Sequence, residues 1–549
     1  MTMTVGIRPQ TSICRRDKIL SLLLMIWLTA PTLALALIRS AERLDIGLEL
    51  RAGGLALCIF LLPVAVFRKI RSFFFFWTPV ALFVPIVIYL TYLFKSTPSD
   101  GLLSAAVTTN PKEAIEVISA FGWRAPLILS GGALYAVACL FIQKDASIGT
   151  EKRKFIVCVA LCYIMVGLNS YLLQTYFWKA RPLIAESDAN TVFPASLAMS
   201  AFRVLHETVQ HEQEVRVDAR LMPPTPEHEL IVLVIGESVI SEHLGVNGYH
   251  RQTTPKLASL GDSLISFTDV ASTDTRTFRA VPALLTRHIG GGTASIVDAF
   301  REAGFKTAWF SNQDRDVFHP SADVADFTEQ GPEAHYRQDG ELLPLMQAFI
   351  KQSGPRQFIV LHMYGSHFPY DRRYTVDSKI FVPTLADIGS PVPDKSVSDE
   401  TINSYDNTIV QMDHFLSEVI LALKELNTPA VMLFTSDHGE GLFEKDQDAF
   451  MHGIGPRVVK AEVHVPLLIW ANSAYSSAEP EKMRALTANR NLKTSHRAVF
   501  PSLLDLSRIE FKGANSAEFL DSPYFRPETN RQVTTVAAPG AIFNYDELP

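Results

Sequence analysis

The chain has 549 residues, of which 48% are hydrophobic and 19% are charged, and its formal net charge at pH 7 is −7. This length exceeds that of one small domain, so we expect two or more. The apolar composition is typical of a protein with membrane segments, and the net negative charge gives no indication of the basic face that nucleic-acid binding requires.

The apolar residues concentrate before about residue 180, in five runs. These runs cover residues 19–38, 50–67, 73–94, 125–142 and 155–175. A helix needs about 20 apolar residues to cross the hydrocarbon core of a bilayer, and only the second run is short for this purpose. We therefore predict a transmembrane domain of five helices over residues 1–178.

Basic residues indicate the orientation of these helices. They cluster before the first run, after the second run, and between the fourth and fifth runs. All three clusters fall on one side of the membrane if the N-terminus is cytoplasmic. Five crossings then place everything after residue 176 outside the cytosol.

The five cysteines lie in the N-terminal tail and the membrane segments, at Cys14, Cys58, Cys139, Cys158 and Cys162. The exported part contains none, so we expect no structural disulfide there. A metal site in that part must therefore use oxygen and nitrogen ligands.

Two further segments have patterns of their own. Residues 99–123 contain apolar residues at helical spacing after Pro111, which favours an amphipathic helix at the outer membrane surface. A plain interhelical loop is the alternative. Residues 179–228 have a helical pattern that ends in the break "MPPTPEHE", which predicts a bridging helix and linker.

From residue 229 to 549, short apolar runs alternate with longer amphipathic segments. The predicted strands are residues 230–235, 264–270, 305–310, 357–362, 430–435 and 463–470. This alternation predicts an α/β domain with a mainly parallel central sheet. In such sheets ligands bind beyond the carboxyl ends of the strands.

Polar side chains occupy those ends. Glu237 comes directly after the first strand, and Asp437 and His438 follow the strand at 430–435. A lone acid in this position is often only a partner of a helix N-terminus. An adjacent Asp and His, however, supply two metal ligands at a fixed point, and carboxylate with imidazole suits Zn²⁺ or Mn²⁺. We therefore predict a metal held by these three residues.

Hydroxyl groups crowd the segment after the strand at 264–270, at Ser272, Thr273, Thr275 and Thr277. A metal lowers the pKa of a coordinated hydroxyl, which can then attack and form a covalent intermediate. Spacing alone leaves open which hydroxyl attacks.

Two histidines follow strands in the same way, His367 after the strand at 357–362 and His452 after the strand at 430–435. We expect both to lie beyond the metal ligands. There they would bind the anionic group or donate a proton to the leaving oxygen.

With these residues in place, the chain resembles the bacterial phosphoethanolamine transferases, which belong to the sulfatase-like branch of the alkaline phosphatase superfamily. The resemblance covers nearly the whole chain and rests on ordered motifs, namely "VIGESVISEHLGVNGYHRQTTP", "ASTDTRTFRAVPALLT", "VLHMYGSHFPY", "YDNTIVQMDHFL" and "FTSDHGEGL" followed by "MHG". It implies a five-helix transmembrane N-terminal domain and an alkaline-phosphatase/sulfatase-like periplasmic domain.

The resemblance also implies roles for individual residues. The zinc ligands carry over to Glu237, Thr275, Asp437 and His438, with Thr275 as the nucleophile. The two histidines that handle the phosphoryl group carry over to His367 and His452. Thr109 and Glu113 match residues that bind phosphoethanolamine in the family. A family asparagine shortly before them falls on Ala105 here, so the donor pocket must differ in detail.

The implied reaction has two steps. Thr275 attacks phosphatidylethanolamine and releases diacylglycerol, and an acceptor then displaces the phosphoethanolamine group from the threonine. The implied acceptor is a lipopolysaccharide or a periplasmic glycan, and the implied metal is zinc, with manganese as the second choice. The protein is expected in the bacterial inner membrane with its catalytic domain in the periplasm.

Other functions share this kind of site. A sulfatase needs a Cys or Ser in a C/S-x-P-x-R context, which does not surround Thr275. A membrane phosphodiesterase and a glycerolphosphate transferase similar to the lipoteichoic acid synthases remain alternatives. An inactive envelope scaffold is disfavoured, because every implied ligand and both histidines are present.

Overall fold

The computed structural model describes residues 13–41, 46–94, 124–173, 192–198, 215–224, 227–289, 292–313, 321–327, 337–390, 393–443, 450–454, 458–535 and 541–549. The described residues form two compact units, one that ends at residue 198 and one that begins at residue 215.

The N-terminal unit is helical. Its helices are Arg15–Ala41, Ile46–Leu61, Ile70–Phe76, Thr78–Phe94, Arg124–Leu140 and Thr150–Leu173. Each predicted apolar run thus contains helix, and the third run is broken into two helices at Trp77.

Membrane crossing is supported for part of this unit. Among the described residues, one helix is long and apolar enough to cross a membrane, over Arg15–Ile38. The helices Ile70–Phe76 and Thr78–Tyr92 are bent by 54° relative to each other. They would make a second membrane span if the two helices together form a single crossing. The number of five transmembrane helices is therefore not confirmed and stays a prediction.

The predicted bridge at residues 179–228 is described only in part. Phe193 is buried in the core of the N-terminal unit, whereas Val217 is buried in the core of the second unit. The domain boundaries at residues 178 and 228 stay predictions.

A seven-stranded sheet forms the centre of the second unit. Its strands are β1 (Glu229–Gly236), β2 (Leu264–Phe267), β3 (Lys306–Ser311), β4 (Val324–Phe327), β5 (Arg356–His362), β6 (Ala430–Ser436) and β7 (Leu467–Ala471). Their order across the sheet is β2-β7-β6-β1-β5-β3-β4. All six predicted strands are present, and β4 is an addition at the edge.

The sheet is mixed, which corrects the expectation of a mainly parallel sheet. Strands β6, β1, β5, β3 and β4 pair in parallel, but β7 runs antiparallel to both of its neighbours, β6 and β2. The reason lies in the connection from β6 to β7. Among its described residues, between 436 and 467, no α-helix carries the chain back across the sheet, and the short 3-10 helix Lys460–Glu462 does not span it. The chain re-enters from the edge at which it left, so β7 must run in the opposite direction.

Helices and small β-pairs surround this sheet. The helices are Pro255–Ala258, Thr277–Leu285, Ile296–Glu302, Leu342–Gln352, Ser398–Lys424, Ser473–Ala478, Pro480–Asn489 and Val499–Leu506. The two-stranded pairs are Arg220–Leu221 with Ile509–Glu510, Val270–Ala271 with Thr494–Ser495, Thr286–Ile289 with Gly292–Ser295, Gly441–Leu442 with Phe450–Met451, and Gln532–Thr534 with Ile542–Asn544.

The core lies between the sheet and its covering helices. Every residue of β1 and of β6 is buried, because both strands are central and covered on both faces. Phe300 of a covering helix stacks on Phe358 of β5, with ring centroids 3.9 Å apart. This packing fixes the carboxyl ends of the central strands, where the predicted site residues lie.

Candidate active site

The pairing of β1 with β6 brings two acids together. The strands are in parallel register up to the pair Gly236 and Ser436, so Glu237 and Asp437 follow at the same edge of the sheet. The backbone N–H of Asp437 donates to the carbonyl of Gly236 at 3.1 Å. The sheet alone therefore places both carboxylates side by side.

Three oxygen-bearing groups converge on one imidazole nitrogen. Nε2 of His438 lies 3.3 Å from Oε1 of Glu237, 3.2 Å from Oδ2 of Asp437 and 3.1 Å from the hydroxyl oxygen of Thr277. That hydroxyl also donates to Oε2 of Glu237 at 3.1 Å. Both carboxylates and the imidazole are fully buried, so the cluster holds two acids in a small volume shielded from solvent.

The surroundings orient these ligand atoms. Ser238 and Gln313 each donate to the Glu237 carboxylate at 2.9 Å. Oδ1 of Asp437 accepts from the backbone N–H groups of Ser238 and His438. Nδ1 of His438 donates to the carbonyl of Gly439 at 2.9 Å, which leaves the Nε2 lone pair directed at the cluster.

This cluster fits a divalent cation. Among the described residues, Oδ2 of Asp437 is buried and has no hydrogen-bond donor. Burial, and then the charge of Asp437, raises the pKa of Glu237 well above its usual range, while burial lowers the pKa of His438 to about 4. A neutral imidazole and two crowded carboxylates are a ligand set that a cation such as Zn²⁺ would stabilise.

The structure places Thr277, and not Thr275, at this cluster. The hydroxyl of Thr275 donates to that of Thr535 at 2.9 Å, on the side of the C-terminal strand Gln532–Thr534. Thr277 is instead the first residue of the helix Thr277–Leu285. The hydroxyl that contacts Glu237 and His438 is thus that of Thr277, whereas the resemblance implied Thr275. The role of either threonine as the nucleophile stays a prediction.

The two predicted histidines lie beside the cluster at different distances. The ring of His452 lies 3.9 Å from that of His438, and the ring of His367 lies 6.4 Å from that of His452. His452 is closer than expected, because one of its ring nitrogens lies within 4.8 Å of ligand atoms of Glu237 and His438. His452 therefore stands in reach of the same cation.

The sequence analysis missed Gln313 and Glu440, and it listed Thr277 only as one of four candidate hydroxyls. Glu440 is fully buried, its Oε2 lies 3.4 Å from Nδ1 of His452, and burial raises the pKa of this carboxyl to about 8. It stands two residues after His438 in "SDHGE", and Gln313 stands two residues after β3. Inspecting the end of every predicted strand would have found both. Thr109 and Glu113, the predicted phosphoethanolamine-binding residues, lie outside the described residues.

Comparison with known proteins identifies the family of the domain that contains this site. The Sulfatase family profile matches residues 229–509, which is just over half of the 549 residues. The chain belongs to the sulfatase family. The matched range contains Glu237, Thr277, Asp437 and His438, so the whole cluster lies within the family domain.

The curated relatives of the chain include phosphoethanolamine transferases. The chain is 26% identical over 450 residues to phosphoethanolamine transferase EptA of Helicobacter pylori, which covers 78% of this chain and 80% of that protein. It is 24% identical over 486 residues to EptC of Escherichia coli K12, with 82% of each chain covered. The resemblance noted from the sequence motifs is thereby confirmed.

Solved structures share the fold. The lipooligosaccharide phosphoethanolamine transferase EptA of Neisseria meningitidis matches with a TM-score of 0.73 over 94% of this chain and 98% of that chain, at 20% identity. The periplasmic domain of Escherichia coli EptC, solved in complex with Zn, matches with a TM-score of 0.53 over 61% of this chain and 97% of that chain, at 22% identity.

Proposed function

We propose that the protein transfers phosphoethanolamine from phosphatidylethanolamine to a lipopolysaccharide or periplasmic glycan acceptor, through a covalent intermediate on Thr277. The observation that carries this proposal is the position of the Thr277 hydroxyl, 3.1 Å from both Nε2 of His438 and Oε2 of Glu237. The choice of phosphoethanolamine as the transferred group rests on the relatives of the chain that are phosphoethanolamine transferases.

Zinc is the proposed metal, with manganese as the weaker choice. Glu237, Asp437, His438 and Thr277 would hold it, since their oxygen and nitrogen atoms already face one another and Oδ2 of Asp437 has no donor among the described residues. The metal would supply charge that favours the deprotonated hydroxyl and the developing phosphoryl oxygens. A Zn complex of a protein with the same fold supports this choice.

Thr277 acts as the nucleophile in the first step. Its Oγ forms a bond to phosphorus while the bond from phosphorus to the diacylglycerol oxygen breaks, and that oxygen takes up a proton. The hydroxyl loses its proton to a neighbouring base, and Glu237 accepts a hydrogen bond from it in the resting site. Thr277 is also the first residue of the helix Thr277–Leu285. The backbone N–H groups at a helix N-terminus favour binding of an anion, here the phosphoryl group of the lipid.

His367 and His452 serve the leaving and entering oxygens. The ring of His452 lies 3.9 Å from that of His438 and 6.4 Å from that of His367, measured between ring centroids. In the second step an acceptor hydroxyl or phosphate oxygen bonds to phosphorus, and the bond to Thr277 breaks. Proton transfer by a positioned histidine contributes about 10²–10⁴-fold to such a reaction.

The proposal includes the membrane setting. The donor is a lipid, and the N-terminal unit contains a helix apolar and long enough to cross a bilayer. We propose a multi-pass protein of the bacterial inner membrane, with a cytoplasmic N-terminus, a periplasmic catalytic domain, and Thr109 and Glu113 as residues that bind the donor headgroup.

The test is release of diacylglycerol by the purified full chain. Fluorescent phosphatidylethanolamine is incubated with the wild type, with Thr277→Ala and with Thr275→Ala. We expect labelled diacylglycerol from the wild type and from Thr275→Ala, and none above background from Thr277→Ala. Equal release by the wild type and Thr277→Ala would overturn the proposal. Release without any acceptor modification in the presence of envelope glycolipids would instead favour a phosphodiesterase.

A further inference from the structure

A cavity of about 900 Å³ lies in the second unit, next to the segment that carries the nucleophile. Its wall includes Asp274, Arg279, Arg287, Arg497, Arg526 and Thr534. Sites for small molecules typically have volumes of about 300–1,000 Å³, so this cavity has room for a sugar and not merely for a single ion. The site already described does not account for it, since none of the four metal-cluster residues lines it.

The cavity wall carries more positively charged than negatively charged side chains. Four arginines face three carboxyl groups, those of Asp274, Glu518 and Glu528. Arg287 forms an ion pair with Glu518 at 2.7 Å, and Arg279 lies 3.9 Å from Asp274. These two arginines are therefore largely balanced by acids.

The remaining two arginines give the cavity its positive charge. In the part of the chain that the structure describes, neither Arg497 nor Arg526 has a carboxylate within 4 Å of its guanidinium group, and both side chains are exposed. Glu528 accepts from the hydroxyl of Ser495, which lies 2.9 Å from both carboxylate oxygens. Burial raises the pKa of Glu528 and the charge of Arg497 opposes the rise, so Glu528 offsets part of the charge of Arg497 and leaves that of Arg526. Guanidinium groups bind phosphate and carboxylate through paired hydrogen bonds.

Two residues of the cavity wall, Asp274 and Arg279, are close to the proposed nucleophile Thr277 in the sequence. Asp274 stands on its wall, accepts hydrogen bonds from the backbone N–H of Arg276 and from the hydroxyl of Thr534, and comes three residues before Thr277. Arg279 lies in the helix that Thr277 begins, about 3 Å further along its axis at 1.5 Å per residue. A ligand anchored in the cavity therefore stands close to the segment on which the covalent intermediate forms.

We propose that this cavity binds an anionic sugar of the acceptor, one that bears a phosphate or a carboxylate, and holds it through Arg497 and Arg526. The buried rings of Phe500 and Phe525 supply apolar wall for the sugar ring. The site thereby selects which acceptor receives the phosphoethanolamine group from Thr277. This inference rests on the proposed transferase function.

Direct binding tests the site without relying on catalysis. The full chain in detergent is titrated by calorimetry with glucose 6-phosphate, glucuronate and glucose, as wild type, as the double variant Arg497→Gln/Arg526→Gln, and as the control Arg484→Gln, which is exposed and lies off the cavity wall. We expect the wild type and the control to bind an anionic sugar at least about tenfold more tightly than glucose, and the double variant to lose that preference. The stronger of the two anions identifies the acceptor group as phosphate or carboxylate.

Catalysis supplies the second readout. In the double variant, the rate at which the adduct forms on Thr277 from phosphatidylethanolamine should stay within about twofold of wild type, while KM for a phosphorylated sugar acceptor rises about tenfold or more. Equal binding of glucose and both anions by the wild type, or an unchanged KM in the double variant, would overturn the inference. An equal loss of adduct formation and transfer would overturn it too. If the wild type forms no adduct, the proposed function fails, and the calorimetric result still decides whether the cavity binds anionic sugars.

Discussion

The hydroxyl oxygen of Thr277 lies 3.1 Å from Nε2 of His438. The Nδ1 of this histidine is held by the carbonyl of Gly439, so the ring cannot turn away without breaking a buried hydrogen bond. Three structural features meet in this contact: the end of β6, the start of the helix Thr277–Leu285, and a carboxylate at the end of β1. This contact is the reason for proposing Thr277 as the nucleophile, since sequence spacing does not distinguish it from its neighbours.

Removal of one proposed metal ligand should remove the metal. In Asp437→Asn we expect zinc affinity to fall by at least about 100-fold and diacylglycerol release to be lost, because the Oδ2 atom that faces His438 no longer carries charge. Metal content per chain, measured by elemental analysis, and activity after chelation and refilling are the readouts. The exposed Asp399→Asn serves as the matched control. Full activity in the thoroughly chelated wild type, or restoration only by Mn²⁺, would contradict the zinc assignment.

His452 should matter for proton transfer and not for holding the metal. We expect His452→Ala to lower diacylglycerol release by about 10²–10⁴-fold while the zinc content stays at the wild-type level. The alternative is that His452 is a fifth protein ligand, which the distance of at most 4.8 Å to ligand atoms of Glu237 and His438 permits. Loss of zinc to the extent seen in Asp437→Asn would establish that alternative and reject ours.

Gly365 should be required for the position of Glu237. A Cβ at residue 365 would lie 2.8 Å from the backbone nitrogen and 2.9 Å from the carbonyl oxygen of Glu237, and the residue has φ of +47°. We expect Gly365→Ala to lower both zinc affinity and activity. Gly354→Ala is the control, because Gly354 also has positive φ, at +90°, but has no atom within 4 Å of that position. Both variants should lose about 1–3 kcal/mol of stability from backbone strain, and equal activities would refute the close-approach argument.

Much of the fold and part of the site could be predicted from the sequence. The central strands are short buried runs, and they are followed at once by Glu237 and by Asp437 with His438, so their position at one sheet edge follows from the parallel pairing. The direction of β7 was not predictable, because it depends on the path of the connection from β6 and not on any local pattern. The edge strand β4 has only four residues, none of them fully buried, so it carries no strong apolar signal.

The hydroxyl that contacts the cluster differs from the one that the sequence resemblance implied. Thr275 and Thr277 are two residues apart in a segment rich in hydroxyls, and only the start of the helix decides which one faces the metal ligands. The buried positions Ala280, Val281, Leu284 and Leu285 have helical spacing, so their periodicity carried the signal that a helix begins near residue 277.

A buried acid at the opposite end of β1 should make stability depend on pH. Burial raises the pKa of Glu229 to about 7, although Arg508, Lys482 and Arg356 oppose the rise. Since the folded pKa exceeds the unfolded value of 4.5, this group weakens the folded state progressively as pH rises from about 4.5 to about 7, by an amount on the order of 3 kcal/mol.

Glu229→Gln removes that titration. We expect the Tm of the variant relative to wild type to increase between pH 5 and pH 8, because only the wild type acquires a buried negative charge over this interval. The exposed Glu481→Gln, for which no such change is expected, is the control. A difference in Tm between Glu229→Gln and wild type that stays constant from pH 5 to pH 8 would show that Glu229 does not titrate there.

The location of the covalent adduct decides which hydroxyl reacts. The full chain is incubated with phosphatidylethanolamine in the absence of acceptor, quenched, digested and sequenced by mass spectrometry. We predict a phosphoethanolamine group on Thr277 in the wild type and in Thr275→Ala, and no adduct in Thr277→Ala. An adduct on Thr275 or Thr273, or undiminished adduct formation in Thr277→Ala, would contradict the role of Thr277 as the nucleophile.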